Sequence, residues 1–351
     1  MKALPFVSIV IPCRNEKKYI SGCLDSVLAF DYPKDRMEVL VSDGMSQDGT
    51  REILKSYESA YPFIRMLDNV KKITPSALNV AIGNARGDVI LRLDAHAEYP
   101  VNYVSKCVAV LYETGADNVG GIRKTSPRSD TRLANALAFA VSSPFTAGNA
   151  VYRTGVKERR WVDTVFCGCY RKEVFDRIGL FNEILTKTQD REFNQRLRDA
   201  GGKILLDPDI ECKYYARTDY GEYCHWMIEI GSWPFLGSRL SGRRFVSLRN
   251  YVPLAFDACL ITLLVASCWL SIARWLLAAF VLTYGISSLL AAAPLAKEKK
   301  DLRYFIVAQL VFITTHVLYG AGSIYGIAKP LGRRAAPVAA TASAVGGSQP
   351  R

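Results

Sequence analysis

Three long apolar runs crowd the last third of the chain and decide most of what it can become. They are "YVPLAFDACLITLLVASCWLSIA" (251–273), "WLLAAFVLTYGISSLLAAAPLA" (275–296) and "YFIVAQLVFITTHVLYGAGSIYGIA" (304–328), and few charges interrupt them. Each meets the roughly 20-residue length a helix needs to cross a bilayer, where every backbone polar group has to be satisfied within the segment. Buried soluble helices are the alternative, but three such runs in succession argue against it. The mean hydropathy of the whole chain is only slightly positive, so the apolar residues are concentrated here. Residues 251–328 therefore read as a membrane anchor of two or three spans, behind a water-facing part.

The charge is distributed to match. A formal net charge of +12 comes from 45 basic and 33 acidic residues. Arg239, Arg243, Arg244 and Arg249 precede the first run, and "KEKKDLR" (297–303) separates the second from the third. Basic residues flanking membrane spans belong on the cytoplasmic side and can hold anionic headgroups, so no nucleic-acid partner is needed to explain the charge. Lys329, Arg333 and Arg334 after the last run ask for a cytoplasmic tail as well. Gly320, Gly322, Gly326 and His316 weaken the third run as a plain lipid-facing helix. A two-span hairpin, with the third run re-entrant or lying against it, reconciles these signals; three crossings are the alternative. The nine cysteines show no repeated CxxC pairing, as suits a reducing cytoplasm. "FVSIVIP" is too short for a signal-peptide core. The segment 329–351 is basic at first and then small and polar, a composition expected to be disordered.

The first 222 residues alternate strand and helix patterns. "FVSIVIP" (6–12) and "MEVLVSD" (37–43) are short apolar runs of the kind buried on both faces of a sheet. Helical spacing follows each, with Ile20, Cys23, Leu24, Val27 and Leu28 on one stripe and Ile53, Leu54 and Tyr57 on another. "TPSALNVAIGNARG" is a third helix with Pro75 in its first turn; "DVILRLDAH" and "ADNVGGIR" are further strands. Such alternation predicts an α/β fold with a mostly parallel sheet, and ligands of these sheets bind beyond the carboxyl ends of the strands. Pro12–Glu16, Asp43 and Asp94–His96 all fall there. Neither GxGxxG nor GxxxxGK[ST] follows the first strand, which excludes the familiar dinucleotide and P-loop sites. Asp94 and His96 can hold a divalent cation against a diphosphate; the carboxylate suits magnesium or manganese, and the imidazole favours manganese. A plain turn is the competing reading of "DAHA".

In this order the motifs resemble the inverting family 2 glycosyltransferases of the GT-A fold, and among them the membrane-associated glucosyltransferases of bacterial exopolysaccharide (succinoglycan-type) synthesis. "VSIVIPCRNE" is similar to the opening strand and nucleotide-binding turn, which implies donor contacts at Pro12, Arg14, Asn15 and Glu16. "VSDGMSQDGT" puts Asp43 at the uracil-reading position, with Gly44 where a second acid is usual. "SALNVAI" matches the helix facing the sugar nucleotide at Asn79; Leu78 stands where a basic residue is common, and Lys72 is the candidate substitute. "LDAHA" falls at the DxD metal motif, with Asp94 also on the donor and His96 replacing the second acid. "VFCGCYRKEVFDRIGLFNE" resembles the acceptor-side segment, in which Gly168 lets the chain pass close to the donor sugar. "TQDREFNQRLRDAGGKI" resembles the ED motif at a helix start, with Gln189 for the Glu and Asp190 as general base. A helix cap is the plain alternative for Asp190. "YCHWMIEIGSWPFL" resembles the amphipathic membrane-interface segment (223–250), where Trp226, Trp233 and Phe235 are interfacial in type and Trp233 stands on the acceptor side; core packing competes. The QxxRW motif of processive synthases is absent.

The resemblance implies a UDP-sugar donor, glucose first among the sugars, a manganese or magnesium ion, and a polyprenyl-diphosphate-linked oligosaccharide acceptor. It implies an enzyme on the bacterial inner membrane with its catalytic domain in the cytoplasm, beside other exopolysaccharide assembly proteins. Two rivals remain: transfer to a membrane lipid, and an inactive scaffold of a polysaccharide assembly complex.

Overall fold

The computed structural model describes residues 4–331; the disordered tail expected beyond them lies outside the described residues. The first half runs β1 (Val7–Cys13), α1 (Ile20–Leu28), β2 (Met37–Asp43), α2 (Thr50–Ala60), β3 (Ile64–Asp68), α3 (Thr74–Gly83), β4 (Val89–Arg92), β5 (Ala97–Glu98), α4 (Tyr103–Thr114) and β6 (Asn118–Ser126). Then come α5 (Arg132–Ser142), α6 (Pro144–Ala147), α7 (Val151–Thr154), β7 (Arg160–Trp161), β8 (Phe166–Arg171), α8 (Glu173–Ile178), α9 (Gln189–Asp199) and β9 (Ile204–Tyr215). Four long helices close the chain: α10 (Tyr220–Ser241), α11 (Leu248–Ser267), α12 (Ser271–Lys299) and α13 (Arg303–Ala328).

Among the described residues the strands form one sheet in the order β3-β2-β1-β4-β8-β6-β9-β5, with β7 paired to β9. The first four strands are parallel, as the alternating pattern predicts. Beyond β4 the sheet is mixed: β8 is antiparallel to both β4 and β6, and β9 is parallel to β6. The mostly parallel expectation thus describes only the N-terminal half. Both faces are covered. Val7, Ile9 and Ile11 pack with α1, α2 and α4 on one side, and Val10, Leu40 and Ile90 pack with α3, α8 and α9 on the other.

The last four helices build a second layer against the α/β domain. The glycines of α13 serve helix packing. A Cβ on Gly322 would sit 2.3 Å from the Ile228 carbonyl oxygen and one on Gly326 2.2 Å from that of Ser232, so α10 lies directly against α13. His316 bridges α12 and α6, with the Tyr284 hydroxyl 3.0 Å from Nδ1 and the Phe145 carbonyl 3.0 Å from Nε2. A re-entrant segment needs a break that the unbroken α13 lacks. α13 is tied at its start to α5 and at its end to α10. At its start Arg132 of α5 pairs with Asp301 at 2.8 Å and the Asn135 amide donates to the Tyr304 hydroxyl. At its end Arg239 of α10 donates to the carbonyls of Gly326, Ile327 and Lys329. By length and composition α11, α12 and α13 could each cross a membrane. The turn between α11 and α12 points an exposed Trp269 outward, and Trp275 is exposed just after it.

Candidate active site

The turn after β1 is assembled by the loop after β2. Asn15 adopts a left-handed backbone (φ 53°); its N–H donates to Ser46 and its side-chain oxygen accepts from the Gln47 N–H. The Glu16 N–H donates to Thr50. Gly44 lies beneath the Arg14 side chain, so close that a Cβ there would meet it at 3.0 Å and an acid at this position would have to shift that side chain. Asp94 lies two residues past the end of β4 and begins the tight turn that reaches His96 before β5. Tyr99 holds that turn, accepting from the Asp94 N–H at 2.7 Å and facing the Asp94 carbonyl at 3.3 Å. A turn and a site are therefore the same residues here.

These edges open on a cavity of about 450 Å³. Pro12, Arg14, Glu16, Lys72, Asp94 and His96 line one part of it, and Gln189, Asp190 and Trp233 line another. Asp190 is the second residue of α9, not its cap, because Thr188 occupies that place. One of its carboxylate oxygens accepts from the Arg191 N–H at 2.9 Å. Asp94 pairs with Arg92 at 3.0 Å, both side chains almost wholly enclosed. Burial alone would raise the Asp94 carboxyl, yet Arg92 and His96 beside it hold it below the usual carboxylate range. For His96, burial disfavours the charged ring, but Glu16 at 3.2 Å, Tyr214 and Asp94 outweigh it and push the imidazole up to about 9.

Four expected contacts are not on that wall. Asp43 is fully buried and its oxygens accept from Ser46 and from Arg51 at 2.8 Å, which fastens the second loop. Asn15 zips the two loops together, as above. Asn79 clamps the segment after α8, exchanging bonds with the Phe181 backbone and donating to Glu183. Gly168 packs under Asn118 and Tyr170, and its neighbours Phe166 and Cys167 form the wall. The arginines before the first apolar run also have other work. Arg239 caps α13, and Arg249 pairs with Asp163 at 3.0 Å and reaches the cavity. Phe235 is buried against Tyr251, whereas Trp226 and Trp233 face the cavity.

Sequence reasoning missed Arg92, Arg123, Tyr152, Arg153, Arg191 and Arg249 as wall residues. They come from five separate places in the chain with no shared spacing, so only the fold collects them. The cavity continues between the closing helices, where Tyr223, Met227, Pro253 and Tyr319 line it.

Among the described residues no group of three or more His, Cys, Asp or Glu side chains could hold a metal ion unaided. Asp94, ionised and opening on the cavity, fits a cation that completes its shell with diphosphate oxygens and water, the usual habit of magnesium and its like; His96 beside it can join as a ligand only by giving up the proton that Glu16, Tyr214 and Asp94 favour.

The sequence model described as Glycosyl transferase family 2 matches residues 8–179. The succinoglycan biosynthesis protein ExoA of Rhizobium meliloti (strain 1021) is 33% identical over 212 residues, 60% of this chain and 63% of that protein. The chain thus spans a little under two thirds of that relative. A dolichyl N-acetyl-alpha-D-glucosaminyl phosphate 3-beta-D-2,3-diacetamido-2,3-dideoxy-beta-D-glucuronosyltransferase of Methanococcus voltae is 32% identical over 237 residues, 65% of this chain and 72% of that protein. In fold the chain is similar to a mannosyltransferase from Pyrobaculum calidifontis solved with GDP-Man and Mn2+, with a TM-score of 0.58 at 20% identity over 93% of this chain and 88% of the other.

Proposed function

The chain belongs to glycosyl transferase family 2, and we propose that it moves one sugar, glucose first among the candidates, from a UDP-sugar to a polyprenyl-diphosphate-linked oligosaccharide at the cytoplasmic face of the bacterial inner membrane. One observation carries the reading. A single cavity runs from the strand ends, past Asp190, to the helices α10, α11 and α13. A donor from the cytoplasm and an acceptor from the bilayer would meet at one carboxylate. The names of the relatives, one in succinoglycan synthesis and one acting on a dolichyl phosphate sugar, support a lipid-borne acceptor.

In this reading Arg14, Glu16 and Lys72 hold the nucleotide end of the donor. Asp94 and His96 hold a divalent cation, which when bound offsets the charge of the departing diphosphate. Asp190 takes the proton of the acceptor hydroxyl, a poor nucleophile until it is deprotonated. The acceptor oxygen then bonds the anomeric carbon from the face opposite UDP. The bond to the diphosphate breaks with its electron pair on UDP, and the configuration inverts. Trp226 and Trp233 offer flat apolar faces to the acceptor sugar.

The proposal divides the chain into a catalytic domain (1–222), an interface segment (223–250) and an anchor (251–328). Because α13 is fastened to α5 of the catalytic domain at its start and to α10 of the interface segment at its end, we assign it to the membrane surface, with α11 and α12 as a spanning hairpin. Deleting the gene tests the function: a lipid-linked precursor lacking one sugar should accumulate and be visible by mass spectrometry. Unchanged lipid-linked oligosaccharides with a missing membrane glycolipid would overturn the acceptor assignment.

A further inference from the structure

A second cavity, of about 210 Å³, shares Arg191 with the first. Arg191, Gln195 and Arg198 enter its wall from one face of α9, at helical spacing, and Arg244 and Ser247 enter from the loop between α10 and α11. The carboxylate in the wall, Asp163, is already engaged, by Arg249 at 3.0 Å and by the Ser247 hydroxyl at 3.0 Å. Glu192 and Asp199 on α9 are taken as well. Glu192 accepts from Arg196 at 2.8 Å, Asp199 accepts from Gln195 at 2.7 Å, and Arg243 lies 3.9 Å from each. Among the described residues, none of the three wall arginines pairs with an acid. Arg191 donates to the Asn250 side chain at 3.4 Å, Arg198 donates to Gln195, and Arg244 is exposed.

Three guanidinium groups brought to one cavity from two elements suit phosphoryl oxygens, which accept from such planar forks. The cavity is smaller than the roughly 300–1,000 Å³ of ordinary small-molecule sites, so it has room for a phosphate group and not for a sugar nucleotide. What lies beside it narrows the ligand further. Ser247 leads at once into α11, whose Leu248 and Val252 stand one turn apart and are 84% and 66% exposed. A phosphate in the cavity would therefore have an uncovered apolar strip at its side. A free phosphate ion makes no use of that strip; an acyl chain does. Along the sequence Arg244 is one of several membrane-flanking charges with a diffuse pull on anionic lipid. Only the fold adds Arg191 and Arg198, and with them a defined site.

We propose that this cavity binds the phosphate headgroup of an anionic phospholipid, whose acyl chains lie along Leu248 and Val252. The inference goes beyond the sugar-transfer reading and rests only on the placement of α11 in the bilayer. A lipid held there ties α9 to the membrane surface through two of its arginines. Because α9 carries Asp190 in its first turn, the same tie keeps that carboxylate at a fixed height above the bilayer.

The test uses the full-length protein in a neutral detergent, where no membrane surface gathers anions. Bound lipid is counted by native mass spectrometry during titration with dioctanoyl phosphatidylglycerol or dioctanoyl phosphatidylcholine, and inorganic phosphate serves as competitor. One phosphatidylglycerol should bind saturably, at least about tenfold tighter than phosphatidylcholine, whose added cation the arginines repel. Inorganic phosphate should displace it only at about tenfold higher concentration or more, since it lacks the apolar contacts. Arg198→Gln and Arg244→Gln together should weaken phosphatidylglycerol by about 10–50-fold. Lys297→Gln, which removes an exposed membrane-flanking charge outside the cavity, should leave it within about twofold. An unchanged melting temperature reports that the variants are folded. Equal binding of the two lipids overturns the proposal, and so does an equal loss in Lys297→Gln. Displacement by inorganic phosphate at the lipid's own concentration also overturns it, and makes the cavity a site for a soluble anion. If alkaline carbonate strips the protein from membranes, the bilayer placement of α11 falls. If the protein stays in the membrane and prefers neither lipid, only the present inference does.

Discussion

Replacing Asp190 with Asn removes a proton acceptor and almost nothing else. The observed bond from the Arg191 N–H to a side-chain oxygen survives, because the Asn oxygen accepts it equally well. Thr188, not Asp190, occupies the cap of α9, so the helix start does not depend on the carboxylate. The side chain is half-buried on the cavity wall, so the amide NH2 has access to solvent and is not stranded. Stability should therefore change by no more than about 1 kcal/mol. Catalysis should suffer far more. Loss of a general base typically lowers the rate by 10²–10⁴, and at 1.36 kcal/mol per decade this is about 3–5 kcal/mol on the barrier. Donor binding should hold within about twofold, since Arg14, Glu16 and Lys72 come from other elements. Single-turnover transfer from UDP-[14C]glucose to membrane lipid extracts, with UDP affinity measured on the same preparation, separates the two effects. Transfer by the variant within a few-fold of wild type, at wild-type UDP affinity, would refute the assignment of the base. A parallel loss of UDP affinity would move Asp190 to the donor site.

Metal removal should stop transfer, because one carboxylate and one imidazole leave a diphosphate poorly neutralised; His96→Asp should then favour magnesium relative to manganese, as an oxygen ligand replaces nitrogen. Full transfer in excess chelator refutes the metal site. Impermeant thiol labelling of intact cells should modify the native Cys268 in the turn between α11 and α12 and spare a cysteine introduced at Ser348. A labelled tail would require α13 to cross the membrane, against the two ties that fasten its ends to α5 and to α10.

What the sequence made legible follows from range. Strands β1, β2 and β4 and helices α1 to α3 declare themselves within a dozen residues each, through apolar runs and helical stripes, and the structure keeps them near those bounds. The parallel order of the first four strands follows from the same alternation. From residue 124 to 215 the pairings join strands far apart in the chain, and no local period marks β8 running antiparallel between β4 and β6. Site residues divide in the same way. Asp94, His96 and Asp190 stand where a strand or helix meets a loop, and a motif can point to them. Asp43 stands in such a place too, yet the nearby Arg51 and Ser46 occupy its oxygens, and spacing alone cannot tell a free carboxylate from a fastened one. The glycines of α13 illustrate the converse. In sequence they weaken a helix; in the fold they let α10 approach backbone to backbone. The arginines of the cavity wall are the extreme case, since Arg249 reads as a membrane-flanking charge until Asp163 draws it into the cavity wall beside Arg123 and Arg191. Charge placed by tertiary structure is thus the part of this cavity that no motif announces.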